Sequence, residues 1–239
     1  MKKKFFDKSI YLFLFLVVVV AFYLRVKDIL FQSFWYDELY SIFVSNPVHS
    51  LKEVIFWETK DVHPPLYQIS LWFVFKIFGF SETVARSFSL FWGVLSIVFL
   101  FLQKLFDRYC ALLGSSIAAT MPFLIWYSQE TRSYSMLFAF TTISAYLFVT
   151  IFNGFNKMLF LFFVLSELCM VYTHYFGFLI VFGFEMVAFL LLLIDKKHKT
   201  FFYQISFAHF LVIIFYLPWL KYFFFNRGFK TTWIKPPDQ

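Results

Sequence analysis

The chain has only two cysteines among its 239 residues, Cys110 and Cys169. Two thiols so placed supply neither a disulfide framework nor a zinc motif. Charge is scarce as well, with Asp, Glu, Lys and Arg at 15% of the residues against 61% hydrophobic ones. That ratio leaves more apolar surface than one soluble core of this length can hide, which excludes a water-soluble globular domain. The net charge of +7 does not point to nucleic acid, because Lys and Arg sit in short clusters between apolar runs, not along one soluble face. No small-x-small cleavage site follows the basic, then apolar, amino-terminal stretch before Arg25, so that stretch reads as a retained first span and not a removed signal peptide. Internal repeats and low-complexity linkers are missing too. The 41 phenylalanines read as lipid-facing surface rather than a ligand box.

What is present is a series of apolar runs, each near the length that crosses about 30 Å of hydrocarbon as a helix. Runs over residues 10–24, 84–102, 111–126, 136–152, 158–171, 176–194 and 202–219 give about seven spans in a single all-α transmembrane domain covering 1–239. A shorter run, 66–80, carries Lys76 and follows Pro64 and Pro65. If it lies at the interface, or enters and leaves by the same side, then Lys2–Lys4, Lys104 with Arg108, Lys157 and the run 195–199 all share one side, as the positive-inside rule asks. The amino terminus is then cytoplasmic. Residues 27–80 form a long first external loop, joined outside by 127–135, 173–175 and the tail 221–239. Within the loop, Ser50 and Glu53 have capping-box spacing ahead of Leu51, Val54 and Ile55, which predicts a juxtamembrane helix. A second such helix opens at Asp37 and stops at Asn46-Pro47.

Four polar islands fall on the external side. The segment from Phe34 to Tyr40 sets adjacent carboxylates, Asp37 and Glu38, among aromatics just beyond the first span. A structural reading makes Asp37 a helix cap and Glu38 a first-turn residue favoured by the dipole; a functional one makes an acid at the membrane surface the general base for an attacking hydroxyl. In Asp61-Val62-His63-Pro64-Pro65-Leu66-Tyr67 the paired prolines fix where Asp61 and His63 point, although a solvated polar turn accounts for the same residues. The island Tyr127-Ser128-Gln129-Glu130-Thr131-Arg132-Ser133-Tyr134 is either a hydrated turn with a weak ion pair or part of a site. Thr173-His174-Tyr175 ends a span, and a lone histidine there is more often a satisfied interfacial residue than a ligand. Glu167 and Glu185 lie inside spans, where a carboxyl group must be paired, neutral or facing a cavity.

Taken in order, Asp37-Glu38, the segment Asp61 to Tyr67, the segment Tyr127 to Tyr134 and Tyr172-Thr173-His174-Tyr175-Phe176 resemble the protein O-mannosyltransferase-like glycosyltransferases of the GT-C membrane fold, family 39. The tail Trp233-Ile234-Lys235-Pro236-Pro237 resembles an external segment of these enzymes; Thr131 departs from their small apolar residue. The resemblance covers nearly the whole chain but only the amino-terminal half of a typical member, so the carboxyl-terminal half of the family is expected to be lacking. It implies inverting transfer of a sugar from a polyprenyl-phosphate donor to a glycan, lipid or protein hydroxyl on the extracytoplasmic face of the plasma (inner) membrane. Under it, Asp37 is the base and Glu38 orients the acceptor or Asp37. Asp61, His63 and Tyr67 shape the sugar pocket, while Glu130, Arg132, Tyr134, His174 and Tyr175 line the cavity. Arg132 meets the leaving phosphate, since a guanidinium matches phosphate oxygens in a fork. No cofactor is required; a divalent metal near His63 or His174, as in some relatives, is allowed but no ligand spacing demands it. Two other readings compete: a transporter or channel with Glu167 and Glu185 on its pathway, and an inactive fragment or structural membrane subunit.

Overall fold

The computed structural model describes residues 2–61, 63–103 and 107–226. Lys104, Val62 and the tail that includes Trp233–Pro237 lie outside the described residues. The described residues form helices joined by turns and contain no strand: α1 (Lys2–Val26), α2 (Tyr36–Val44), α3 (Leu51–Glu58), α4 (Leu66–Phe78), α5 (Glu82–Phe101), α6 (Arg108–Thr120), α7 (Pro122–Gln129), α8 (Tyr134–Asn153), α9 (Lys157–Thr173), α10 (Phe176–Ile194) and α11 (Lys199–Asn226). Five of them, α1, α5, α8, α10 and α11, are long and apolar enough to cross a bilayer. The 17-residue α9 extends about 25 Å. The protein is a polytopic helical membrane protein.

The expected span 111–126 is not one straight helix. It is broken between α6 and α7, which meet at 57°. Pro122 is the cause: it has no N–H to bond the Ala118 carbonyl, and it starts α7 at the first-turn position where proline is tolerated. The carbonyls freed at the end of α6 are taken by Arg25, whose Nη1 donates to Ala119 at 3.0 Å and whose Nη2 donates to Ala118 at 3.3 Å. Its Nε donates to Ser128 Oγ on α7 at 3.1 Å, so a single fully buried guanidinium holds both sides of the break. Gly93 on α5 makes room for this, since a Cβ there would meet Ser128 Oγ at 2.1 Å.

Apolar cores tie the helices together, two of them central to the bundle. Ala21, Ile97, Ala118 and Ala119 join α1, α5 and α6, and a larger core of residues such as Phe148, Phe163, Ile205 and Val212 joins α8 to α11. Small residues at the first interface let backbones approach closely. Inside the second, His209 on α11 bonds Glu185 of α10 at 2.6 Å and Glu167 of α9 at 3.2 Å. The two intramembrane acids are therefore paired across three helices.

One end of the bundle gathers the ends of α1, α7 and α9 with the starts of α5, α8 and α10. Gln129 donates there to the Lys27 carbonyl at 2.7 Å, and the His63 and His174 rings lie 5.5 Å apart. At the opposite end Arg108 bonds the Tyr11 hydroxyl, and the rings of Phe152 and His198 sit 5.2 Å apart. Helices α2 to α4 cover the first end. α4 runs back along the first part of α5, with Tyr67 against Phe88 at 5.4 Å and Phe75 against Phe80 at 4.9 Å, so both its ends stay on that side. α3 carries the expected capping box: Glu53 Oε2 accepts from the Ser50 amide at 2.7 Å.

Candidate functional site

Asp37 is not the cap of α2. The helix starts at Tyr36 with Trp35 as the capping residue, which places Asp37 and Glu38 in its first turn. One turn faces the two acids in different directions. Glu38 is 1% exposed and receives Arg86 Nε and Nη2 at 3.3 Å each, the Thr131 amide at 2.8 Å and the Trp35 amide at 3.4 Å. A carboxylate so saturated locks α2, α5 and the 131–133 turn together. Asp37, by contrast, has a side chain one-third exposed, and its Oδ2 lies 3.8 Å from Arg132 Nη2.

Arg132 reaches the site from the turn before α8. Its Nη1 donates to the Asp37 carbonyl at 3.2 Å and to Ser41 Oγ at 3.4 Å, and its Nη2 faces His63 Nε2 at 3.3 Å. Its Nε–H is buried with no partner among the described residues. An arginine can only donate, so His63 Nε2 must accept and its Nδ1–H must donate to Asp61 Oδ2 at 3.0 Å. The Asp61–His63–Arg132 line thus fixes the orientation of the His63 ring. His174 follows: its Nδ1 accepts from the Phe176 amide at 3.1 Å, and Tyr134 lies 5.7 Å from its ring. Burial, aided by His63 and Arg132, lowers the His174 pKa to about 4.

Asp37, Asp61, His63, Arg132, Tyr134 and His174 therefore converge. Tyr67 and Tyr175 point elsewhere. Tyr67 is fully buried and bonds Ser89 Oγ at 2.7 Å, which in turn donates to the Arg132 carbonyl at 3.4 Å. Tyr175 packs towards α11, and burial raises its hydroxyl pKa to about 12. Glu130 stands on the far side of Glu38, in a recess of its own, bonded by the Trp126 indole N–H; burial pushes its carboxyl upward. Three residues near the site carried no sequence signal strong enough to mark them. Arg86 looks like a lone cation within a span. Glu58 looks like the solvent face of α3 yet is fully buried, and burial reinforced by the Asp61 carboxylate pushes it well above the usual carboxylate range. Tyr40 approaches Glu58 without reaching full hydrogen-bond geometry, and burial raises its hydroxyl.

Several of the nitrogens that could ligate a divalent cation are already engaged. Both His63 nitrogens and His174 Nδ1 are committed to protein partners, and the Arg132 guanidinium occupies the space between the acids. Among the described residues no group of three His, Cys, Asp or Glu side chains is arranged to hold a metal.

The family model for dolichyl-phosphate-mannose-protein mannosyltransferases matches residues 62–222, well over half of the chain. The chain belongs to the dolichyl-phosphate-mannose-protein mannosyltransferase family. No curated protein matches it significantly. The mannosyltransferase-family match contains His63, Glu130, Arg132, Tyr134 and His174, while Asp37, Glu38 and Asp61 precede it. Membership in this mannosyltransferase family points to glycosyl transfer from a lipid-linked sugar donor.

Proposed function

We propose that the chain provides the catalytic face of an inverting glycosyltransferase that takes a sugar from a polyprenyl-phosphate donor at the extracytoplasmic side of the plasma membrane. The observation that carries this reading is the placement of Asp37. Its carboxylate is the more exposed acid of the cluster, 33% against 16% for Asp61, and it stands beside a guanidinium with an unused N–H. Asp37 accepts the proton of the acceptor hydroxyl as that oxygen bonds the anomeric carbon. The bond from that carbon to the phosphate oxygen breaks on the opposite face, and its electron pair leaves with the phosphate. The free Nε–H of Arg132 meets a phosphate oxygen. Glu38 positions Asp37 by holding α2, and Asp61 orients the His63 ring through its Nδ1.

A membrane-embedded donor also needs room for its tail. A largely apolar pocket of about 360 Å³ lies between α5, α7, α8 and α10, lined by residues that include Phe138, Ile180, Tyr127 and Tyr134. Tyr134 links it to His174 and so to the cluster. Arg25, which has no carboxylate partner in the described structure, lines the same pocket and makes it attractive to an anion. The positive-inside pattern supports a cytoplasmic amino terminus with the α2–α4 end outside. The transporter reading draws less support, because Glu167 and Glu185 are tied to His209. The test is direct: membranes containing the protein, together with any carboxyl-terminal half it requires, are given a polyprenyl-phosphate sugar of radiolabelled hexose or pentose. Label moving to an acceptor with inverted anomeric configuration supports the proposal. Label that stays on the donor refutes it and leaves the structural-subunit reading.

A further inference from the structure

The recess that holds Glu130 is separate from the Asp37–Arg132–His63 cluster and from the apolar pocket, and no step above uses it. Its volume is about 130 Å³, the scale of one sugar ring. Trp35 and Trp126, both about half exposed, line it with Asp28, Gln32, Gln129 and Glu130. An aromatic belt at the membrane surface would account for the two indoles. It does not account for the polar groups facing the same space. Asp28 and Gln32 make no side-chain hydrogen bond among the described residues, and Glu130 Oε2 is buried without a partner. Asp28 is moreover held at φ 61°, a left-handed conformation uncommon outside glycine, which sets its side chain at the rim.

Flat indole faces with unspent carboxylate and amide groups around them are what a sugar ring requires: its C–H face lies on the aromatic ring and its hydroxyls pair with the polar atoms. Charge narrows the class. Asp28, Glu38 and Glu130 face one cation, Arg86, which Glu38 already neutralises. A phosphate or a uronate is repelled; a neutral sugar is not. The wall between this recess and the cluster is the first turn of α2, where Glu38 faces the recess and Asp37 the cluster. We infer that the recess is part of the acceptor site, binding one neutral sugar unit of a glycan acceptor whose neighbouring unit carries the reacting hydroxyl past the first turn of α2 to Asp37. This rests on the transferase reading for the word acceptor, but the sugar-binding claim does not.

The experiment separates the two. The protein is placed in lipid nanodiscs, free of glycoside detergent, and saturation-transfer NMR is recorded with methyl hexosides as probes and methyl glucuronide as the charged control. Ring-proton saturation from neutral hexosides, weaker for the glucuronide, is expected. Gln32→Ala and Trp126→Ala should reduce it about fivefold or more. No saturation from any neutral hexoside, or saturation indifferent to both recess substitutions, overturns the proposal. Gln32 lies on an exposed turn, so its variant keeps the test independent of folding. Where transfer is measured, Gln32→Ala should raise the acceptor KM about fivefold with donor hydrolysis to water unchanged. A raised donor KM instead would reassign the recess to the donor sugar. Hexoside binding without any turnover would sink the transferase reading and leave the sugar site standing.

Discussion

Arg86 grips Glu38 side-on inside the bundle, Nε to Oε1 and Nη2 to Oε2, each at 3.3 Å, with both residues less than a twentieth exposed. The pair joins α2 to α5 across 48 positions of sequence. Removing one partner leaves the other charged, buried and alone, so Glu38→Ala and Arg86→Ala should each cost about 3–5 kcal/mol. In a double-mutant cycle of thermal unfolding, the second substitution should add far less than the first. Two small and additive losses would show that the pair does not hold the first loop down.

Arg25 and Pro122 form a second coupled pair through the Ala118 and Ala119 carbonyls. Arg25→Met strands those acceptors and should destabilise by about 1–3 kcal/mol. Pro122→Ala restores an N–H for Ala118, so in the Arg25→Met background it should recover part of that loss. If Pro122→Ala makes the double variant worse, the carbonyls are not what Arg25 serves.

His174 gives a pH signature. Its folded pKa is lowered to about 4 from 6.5, so between those values the unfolded chain binds a proton that the folded chain does not. Stability should fall as pH drops from about 6.5 towards 4, by as much as about 3 kcal/mol, and level off below. His174→Gln should flatten that part of the profile measured by unfolding. An unchanged slope would mean that His174 titrates normally in the folded state.

Much of this arrangement is legible in the sequence. Each of the seven expected spans falls on a helix or, for 111–126, on a broken pair. The Ser50–Glu53 box forms as the spacing asks, because its signal is local. The four polar islands meet at one end, and six of their residues share one cluster. What the sequence hid are relationships that depend on packing. Nothing near Arg86 announces a carboxylate 48 residues upstream, and His209 becomes the partner of Glu167 and Glu185 only once α9, α10 and α11 are side by side. Pro122 did carry a readable signal: a proline inside an apolar run is where a helix breaks. The division of labour between Asp37 and Glu38 was not readable, since it follows from which way two consecutive side chains of one turn project.

Topology offers an independent check. Single cysteines in a background lacking Cys110 and Cys169 should react with an impermeant reagent at Asp61 and Glu130 from the outside, and at Lys197 only after the membrane is opened. External labelling at Lys197 would divide the bundle's two ends differently and separate the cluster from the donor's face.

The central claim is that Asp37 is the base, and Asp37→Asn tests it with the least disturbance. Asparagine keeps the size and, since Asp37 is not the cap of α2, removes no capping bond. Glu38→Gln serves as the neighbour control, expected to weaken the fold more than the chemistry. The measurement is turnover of a radiolabelled polyprenyl-phosphate sugar in membranes carrying equal amounts of folded protein. Loss of transfer by about 10²-fold or more in Asp37→Asn, with thermal stability unchanged, is the result expected of a general base; wild-type turnover in that variant would contradict the account.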